Sequence, residues 1–128
     1  MKDENQAILE VNQAFYRAFE KRDIIALHGI LSQGISTVCI HPGRGAICGF
    51  ENIRNSWDLI FKNTDYIEID TDVIIAEVNG DIGYVILVEN IMQISRDTTI
   101  KDKSIATNIF EQMGGNWYLI NHHASPVL

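Results

Sequence analysis

From Glu4 to Phe19 apolar residues recur at three- and four-residue intervals, at Ile8, Val11, Phe15, Ala18 and Phe19, with Glu10, Gln13, Arg17 and Glu20 between them. That period predicts an amphipathic helix with one buried stripe. Asp23 is placed to cap a second, shorter helix running through Leu31, because its carboxylate can accept from the free amides of a first turn, and Gly34 then releases the chain. Ile35 to Ile40 reads as a strand, closed by His41-Pro42-Gly43, where proline removes a backbone donor and glycine permits the turn. A third helix fits Phe50 to Phe61, with Ile53, Trp57, Ile60 and Phe61 on one side, and Asn63-Thr64-Asp65 breaks it.

After Tyr66 the pattern changes to long strands: Tyr66 to Val78, Ile82 to Ser95, Ser104 to Met113 and Trp117 to Ala124. They are joined by Asn79-Gly80-Asp81, a polar stretch around Arg96 to Lys103, and Gly114-Gly115-Asn116, and the glycine-bearing joins supply the positive φ of tight hairpins. Helices first and strands after, without βαβ alternation, predict an α+β fold: N-terminal helices packed on a curved, mostly antiparallel sheet that encloses a pocket. No repeat, linker or low-complexity segment divides the chain, so residues 1–128 are read as a single domain. Tyr84-Val85-Ile86-Leu87-Val88 is apolar at every position, which calls for burial of both faces. The helices cover one face, so the outer face is expected to form a homodimer.

Composition narrows the function without choosing it. Seventeen acidic residues against ten basic ones give a net charge of −7, which argues against nucleic acid, since phosphate binding draws on Lys and Arg. The first residues lack a basic and then apolar leader, and no apolar run approaches the roughly 18 residues of a membrane span, so a cytoplasmic protein with no membrane partner is expected. Cys39 and Cys48 are too few for a disulfide framework and lack metal spacing, and are read as reduced core residues.

Candidate chemistry then falls on a few positions. His41 ends the first strand directly before Pro42, and an imidazole with an ordinary pKa near 6.5 can donate, accept or shuttle a proton. Glu89 is a carboxylate within the most apolar strand and must be paired, hydrated or protonated if buried. Should it share the inward face with Val85 and Leu87, those side chains and Phe110 would line a pocket beside it. In the last strand, parity places Trp117, Leu119, Asn121 and His123 on one face and Tyr118, Ile120, His122 and Ala124 on the other, and His123 is taken as the inward histidine. Adjacent His122 and His123 make a poor metal chelate, so no metal and no cofactor are expected. Asn108 sits inside apolar Ile105 to Phe110 and needs partners for both amide atoms. Tyr16 and Trp57 add large side chains with polar tips.

The order of elements, Cys39-Ile40-His41-Pro42-Gly43, Gly49-Phe50-Glu51 leading to Ser56-Trp57, Ala106-Thr107-Asn108-Ile109-Phe110, and the tail His122-His123-Ala124-Ser125-Pro126-Val127 resemble a SnoaL-like domain of the nuclear transport factor 2-like superfamily over nearly the whole chain. The resemblance implies a cystatin-like cone, with ketosteroid isomerases and the association domain of calcium/calmodulin-dependent kinase as relatives. It puts His41 where the isomerases carry a catalytic aspartate, Asn108 at their protonated oxyanion-hole aspartate, Trp57 at an aromatic pocket position and Glu89 at an apolar one. Their oxyanion-hole tyrosine falls on Phe15, with Tyr16 one position away, a departure that argues against steroid isomerisation itself.

Three functions fit these residues. The chain is read first as a dimeric pocket protein holding a small, partly apolar molecule through His41, Glu89, Asn108 and His123. The alternative is an isomerase-, cyclase-, dehydratase- or hydrolase-like enzyme with His41 as general base. A third reading is an association module.

Overall fold

The computed structural model describes residues 3–127, so the expectation attached to Met1 and Lys2 lies outside it. Helix α1 (Glu4–Glu20) begins where Asp3 Oδ1 accepts from the Gln6 amide at 2.7 Å, and it buries Ile8, Phe15, Tyr16 and Ala18 together with one polar residue, Asn12. Helix α2 (Ile24–Ile30) is capped by Asp23, whose carboxylate accepts from the Ala26 amide at 3.0 Å. Helix α3 (Phe50–Lys62) turns Ile53, Trp57 and Phe61 inward and ends at Asn63. Helices α1 and α3 follow the apolar periods of the sequence, and α2 follows its Asp23 cap.

The strands β1 (Val38–Ile40), β2 (Ala46–Cys48), β3 (Tyr66–Asn79), β4 (Ile82–Ser95), β5 (Thr98–Met113) and β6 (Asn116–Pro126) form one sheet in the order β2-β1-β6-β5-β4-β3. Among the described strands the β1–β6 pair alone is parallel, and an isolated parallel bridge joins Leu31 to Leu119. This is the expected α+β arrangement of helices on one face of a mostly antiparallel sheet.

Four sequence expectations are corrected. Ile35 is 91% exposed, because Gly34 to Ser36 form a bend and turn closed by Thr37 Oγ1 donating to the Ser32 carbonyl at 3.0 Å; the first strand therefore starts only at Val38. Strand β2 was not anticipated, and it places Cys48 on the surface beside buried Cys39, both as free thiols. The polar stretch from Arg96 to Lys103 is not a loop. Arg96 and Asp97, with φ of 50° and 68°, make the two-residue turn, and β5 starts at Thr98, six residues before Ser104. Two positive-φ residues are what such a hairpin requires, but Arg-Asp lacks the glycine or asparagine that advertises it. The fourth correction is a bulge in β6. Ile109 pairs with Asn121 but Phe110 pairs with Leu119, so Ile120 is the extra residue and inward parity flips from Trp117 and Leu119 to His122 and Ala124.

Three rows cross the concave face. Cys39, His122, Asn108 and Val85 stand side by side in one, Ala124, Ala106 and Leu87 in the next, and Pro126, Ser104 and Glu89 in the third. The two alanines keep the middle row low, and space for a pocket lies between the sheet and α3. At the other end α1 closes on the sheet, and a methyl on Gly83 of β4 would lie 3.1 Å from Ile8.

Candidate functional site

The site is a cavity of about 790 Å³ between α3, the turn after β1 and the inner rows of the sheet. Its wall includes His41, Trp57, Glu89, Ser104 and His122, with Phe19, Ile60, Ile67 and Ile91 as the apolar part and Arg44 on the rim. His41, Trp57 and Glu89 are thus placed where the sequence reading put them. Val85, Leu87, Asn108 and Phe110 are fully buried behind the wall, as is Tyr16, and they support the lining rather than form it. His123 is a correction: the bulge turns it to the outer face, and His122, 3% exposed, takes the inward place.

The polar groups form one ordered chain. Tyr16 Oη donates to Glu89 Oε2 at 2.6 Å. Its lone pair therefore accepts from Asn108 Nδ2 at 3.1 Å, and the same amide nitrogen donates to Asn12 Oδ1 at 2.8 Å. With both amide protons committed, Asn108 Oδ1 faces His122 Nδ1 at 2.6 Å and accepts its proton. His122 is fixed as the Nδ1–H tautomer, and Nε2 keeps its lone pair on a ring that lines the cavity. The resemblance placed the helix tyrosine at Phe15; the structure supplies the hydroxyl from the next position, while Phe15 packs against Trp57 and His122.

His41 is positioned by α3. Its Nε2 lies 3.1 Å from Ser56 Oγ, whose own proton goes to the Ile53 carbonyl at 2.8 Å, so His41 donates to Ser56 and keeps a lone pair on Nδ1. The ring meets Trp57 edge-on at 4.7 Å, and Trp57 also lies 6.0 Å from His122. The Cys39 thiol is 3.9 Å from both His41 nitrogens and favours neither. Trp57 Nε1 is the one buried side-chain donor without a hydrogen-bond partner among the described residues. Its N–H dipole still acts on Cys39, whose thiol burial pushes up to about 12 against that smaller pull.

Electrostatics separates the titratable groups. Burial, and then the Arg44 charge, pull His41 down to about 4. Burial, followed by His41 and His123, pulls His122 down to about 3. Glu89 moves the other way: burial raises it, and the hydroxyl of Tyr16 opposes the rise. The Tyr16 hydroxyl itself is held protonated, its pKa lifted well above 10 by burial and by the nearby carboxylate. The wall therefore carries two neutral imidazoles and one carboxyl group shifted toward neutral pH.

Most of this wall escaped the sequence reading, including Arg44, the Lys101-Asp102-Lys103 run, Ser104 and His122. Ser104 faces Glu89 directly across β4 and β5 and is 2% exposed. The sequence puts Ser104 at the start of a strand and offers no reason to single it out. His122 was named but placed outward, because a bulge leaves no mark on a period of two. No three His, Cys, Asp or Glu side chains among the described residues cluster as metal ligands, and no described helix is long and apolar enough to cross a membrane.

A helical layer over a curved, open, mostly antiparallel sheet, with a polar cluster on its concave rows, defines the nuclear transport factor 2-like class with its cystatin-like fold. The chain belongs to the SnoaL-like domain family, which it matches over residues 8–128. It is 32% identical to a protein of the NTF2-like family from Streptomyces avermitilis described as a proposed dehydratase, with a TM-score of 0.90 over 96% of this chain and 95% of that one. A ketosteroid isomerase-like protein from Erwinia carotovora atroseptica superposes with a TM-score of 0.87 over 100% and 99% of the two chains at 15% identity, a likeness of fold alone. F-box protein SKIP8 of Arabidopsis thaliana is 22% identical over 123 residues, 96% of this chain but 51% of that protein, so the chain spans about half the length of this curated relative.

Proposed function

We propose that the chain encloses a small, partly apolar molecule and moves a proton on it, as a cofactor-independent lyase or isomerase of the dehydratase kind. The observation that carries this reading is the pairing of Glu89, raised by burial, with Ser104 and with the fixed lone pair of His122 on one cavity wall. Proton transfer is most efficient when the group's pKa lies near the working pH. Glu89 moves toward that range, whereas His41 at about 4 and His122 at about 3 move away from it. Glu89 is therefore the better base, in place of His41, and the neutral imidazoles orient the substrate by accepting from its hydroxyl.

In the proposed step the Glu89 carboxylate takes the proton next to a carbonyl, and the Ser104 hydroxyl donates to the oxygen on which charge develops. The electron pair released from carbon forms the new double bond. If it expels a neighbouring hydroxyl, the proton on Glu89 leaves with it as water; if no group departs, the proton returns to another carbon. The description of the Streptomyces relative as a proposed dehydratase supports the first outcome.

The experiment is incubation with a panel of β-hydroxy and α,β-unsaturated carbonyl compounds in deuterated water, followed by NMR. Deuterium at the carbon next to the carbonyl, or loss of water, is expected, and Glu89→Gln should lower the rate by about 10²- to 10⁴-fold. Ligands that bind without exchange on any member of the panel would leave a binding protein instead. If His41→Ala loses more than Glu89→Gln, His41 is the base.

A second reading concerns assembly, as a homodimer through the outer sheet face. In the single chain that face leaves Ile75, Tyr84 and Ile105 exposed by 39%, 37% and 43%, around partly buried Ile86, Val88 and Ile109. An apolar patch of this kind supports an interface between copies.

A further inference from the structure

Beside the inner cavity lies a second one of about 620 Å³, and the two share Arg44, Ile60 and Gln93 in their walls. They are therefore adjoining compartments along the open edge of α3. The inner wall mixes Arg44, Lys101 and Lys103 with the carboxyl groups of Glu89 and Asp102, and the outer wall does not. The chain carries 17 acidic residues and 10 basic ones, yet the outer wall contains Arg44 and Arg96 and, among the described residues, no carboxylate.

Neither arginine is neutralised. Arg17, Arg54 and Lys62 form ion pairs with acidic neighbours on their own helices, whereas Arg44 and Arg96 enter none among the described residues. Asp65 spends Oδ2 on the Arg96 backbone N–H at 2.9 Å, and neither it nor the adjacent Asp97 forms an ion pair with the guanidinium among the described residues. Arg44 sits on the turn after β1, and its charge reaches into the inner cavity far enough to act on His41. Most of the uncharged donors of this wall are already engaged: Gln93 Nε2 donates to Thr64 Oγ1 at 3.0 Å and to Ser95 Oγ at 3.4 Å, Thr64 Oγ1 to the Ile60 carbonyl at 2.7 Å, Ser56 Oγ to the Ile53 carbonyl at 2.8 Å, and Asn63 Nδ2 to the Leu59 carbonyl at 3.0 Å. The charged donors on offer are two guanidinium forks, beside the apolar lip of Leu59, which is 61% exposed.

A guanidinium fork matches a carboxylate geometrically and electrostatically, and keeps its charge at all working pH values. We infer that the substrate is an organic acid, with its apolar body in the inner cavity against Trp57 and its carboxylate held in the outer compartment by Arg44 and Arg96. This deepens the reading above and rests on the inner cavity as the seat of the reacting carbon. Arg44, which borders both compartments, fixes how far the body enters and so which carbon reaches Glu89.

The test uses hydrocinnamate, its longer homologue phenylvalerate, and the primary amide of each, titrated calorimetrically into the full chain. At least one carboxylate should bind about tenfold tighter than its amide. In a double variant, Arg44→Gln with Arg96→Gln, the carboxylate should weaken to the level of the amide while the amide is unchanged; unchanged amide binding also shows that the variant is folded. Equal binding of acid and amide to the wild type, a preference that survives in the double variant, or no binding of either acid up to its solubility limit would each overturn the inference. Glu89→Gln keeps the two readings apart. It should retain the preference for the acid while losing proton exchange, and a wild type that prefers the acid but exchanges no proton would sink the catalytic reading alone.

Discussion

His122 Nδ1 and Asn108 Oδ1 lie 2.6 Å apart, and that contact settles which nitrogen of a cavity histidine is free. The assignment is forced from the far end of the chain. Glu89 takes the Tyr16 proton, Tyr16 must then accept from Asn108, and Asn108 has only its oxygen left for His122. Long-range nitrogen–proton NMR spectra at pH 7 should show His122 neutral and protonated at Nδ1. Protonation at Nε2 would mean that Asn108 is turned round and that the cavity meets a donor.

Asn108 is completely buried and holds three partners at once, Asn12, Tyr16 and His122. Asn108→Leu has nearly the right volume but leaves those partners facing an apolar group. Each buried polar group left unsatisfied costs about 1–3 kcal/mol, and the substitution should destabilise the fold by at least that much for one of them. Urea denaturation measures it, and a loss below about 0.5 kcal/mol would show that the chain of hydrogen bonds is not a structural tie.

Much of this architecture was legible because burial writes itself into periods. The first and third helices follow their apolar spacing and the second its Asp23 cap to within a residue or two, and Glu89 and Asn108 stand out as polar residues in apolar strands. Two of the misses share a cause, a local break in the backbone pattern. The Arg96-Asp97 turn uses positive φ without glycine, and the Ile120 bulge flips the parity of the strand beyond it, which exchanged His123 for His122. Asn12 and Ser104 were illegible for another reason. A single polar residue near an apolar stripe looks the same whether it faces water or a buried partner, and only the strand opposite decides.

The outer face of the sheet gives the assembly a direct test. Tyr84 and Ile105 lie on strands β4 and β5 of that face and make no contribution to the cavity wall. Tyr84→Lys combined with Ile105→Lys should convert a dimer to a monomer in sedimentation velocity while the circular dichroism stays unchanged. A wild-type chain that sediments as a monomer at high concentration would remove the proposed interface outright.

Acid should weaken the fold, and the sign follows from the two buried imidazoles. Both hold native values near 4 and 3, well below the ordinary 6.5, so as pH falls below about 6.5 the unfolded chain takes up protons that the native chain refuses. Stability is then fully present above that pH and is lost toward about 4, at about 1.4 kcal/mol per pH unit for each histidine. Glu89 opposes this. Its native value is raised, so above the ordinary 4.5 the native chain holds a proton that the unfolded chain has released, and stability falls as pH rises toward that native value. Where the windows overlap, the wild type should lose stability on acidification with a slope of about one proton, and Glu89→Gln should steepen it toward two. Urea midpoints compared at pH 7 and pH 5 decide the matter. A wild type equally stable at both, with no change of slope in the variant, would mean that neither imidazole is held neutral by burial and that the electrostatic separation of Glu89 from its histidines does not exist.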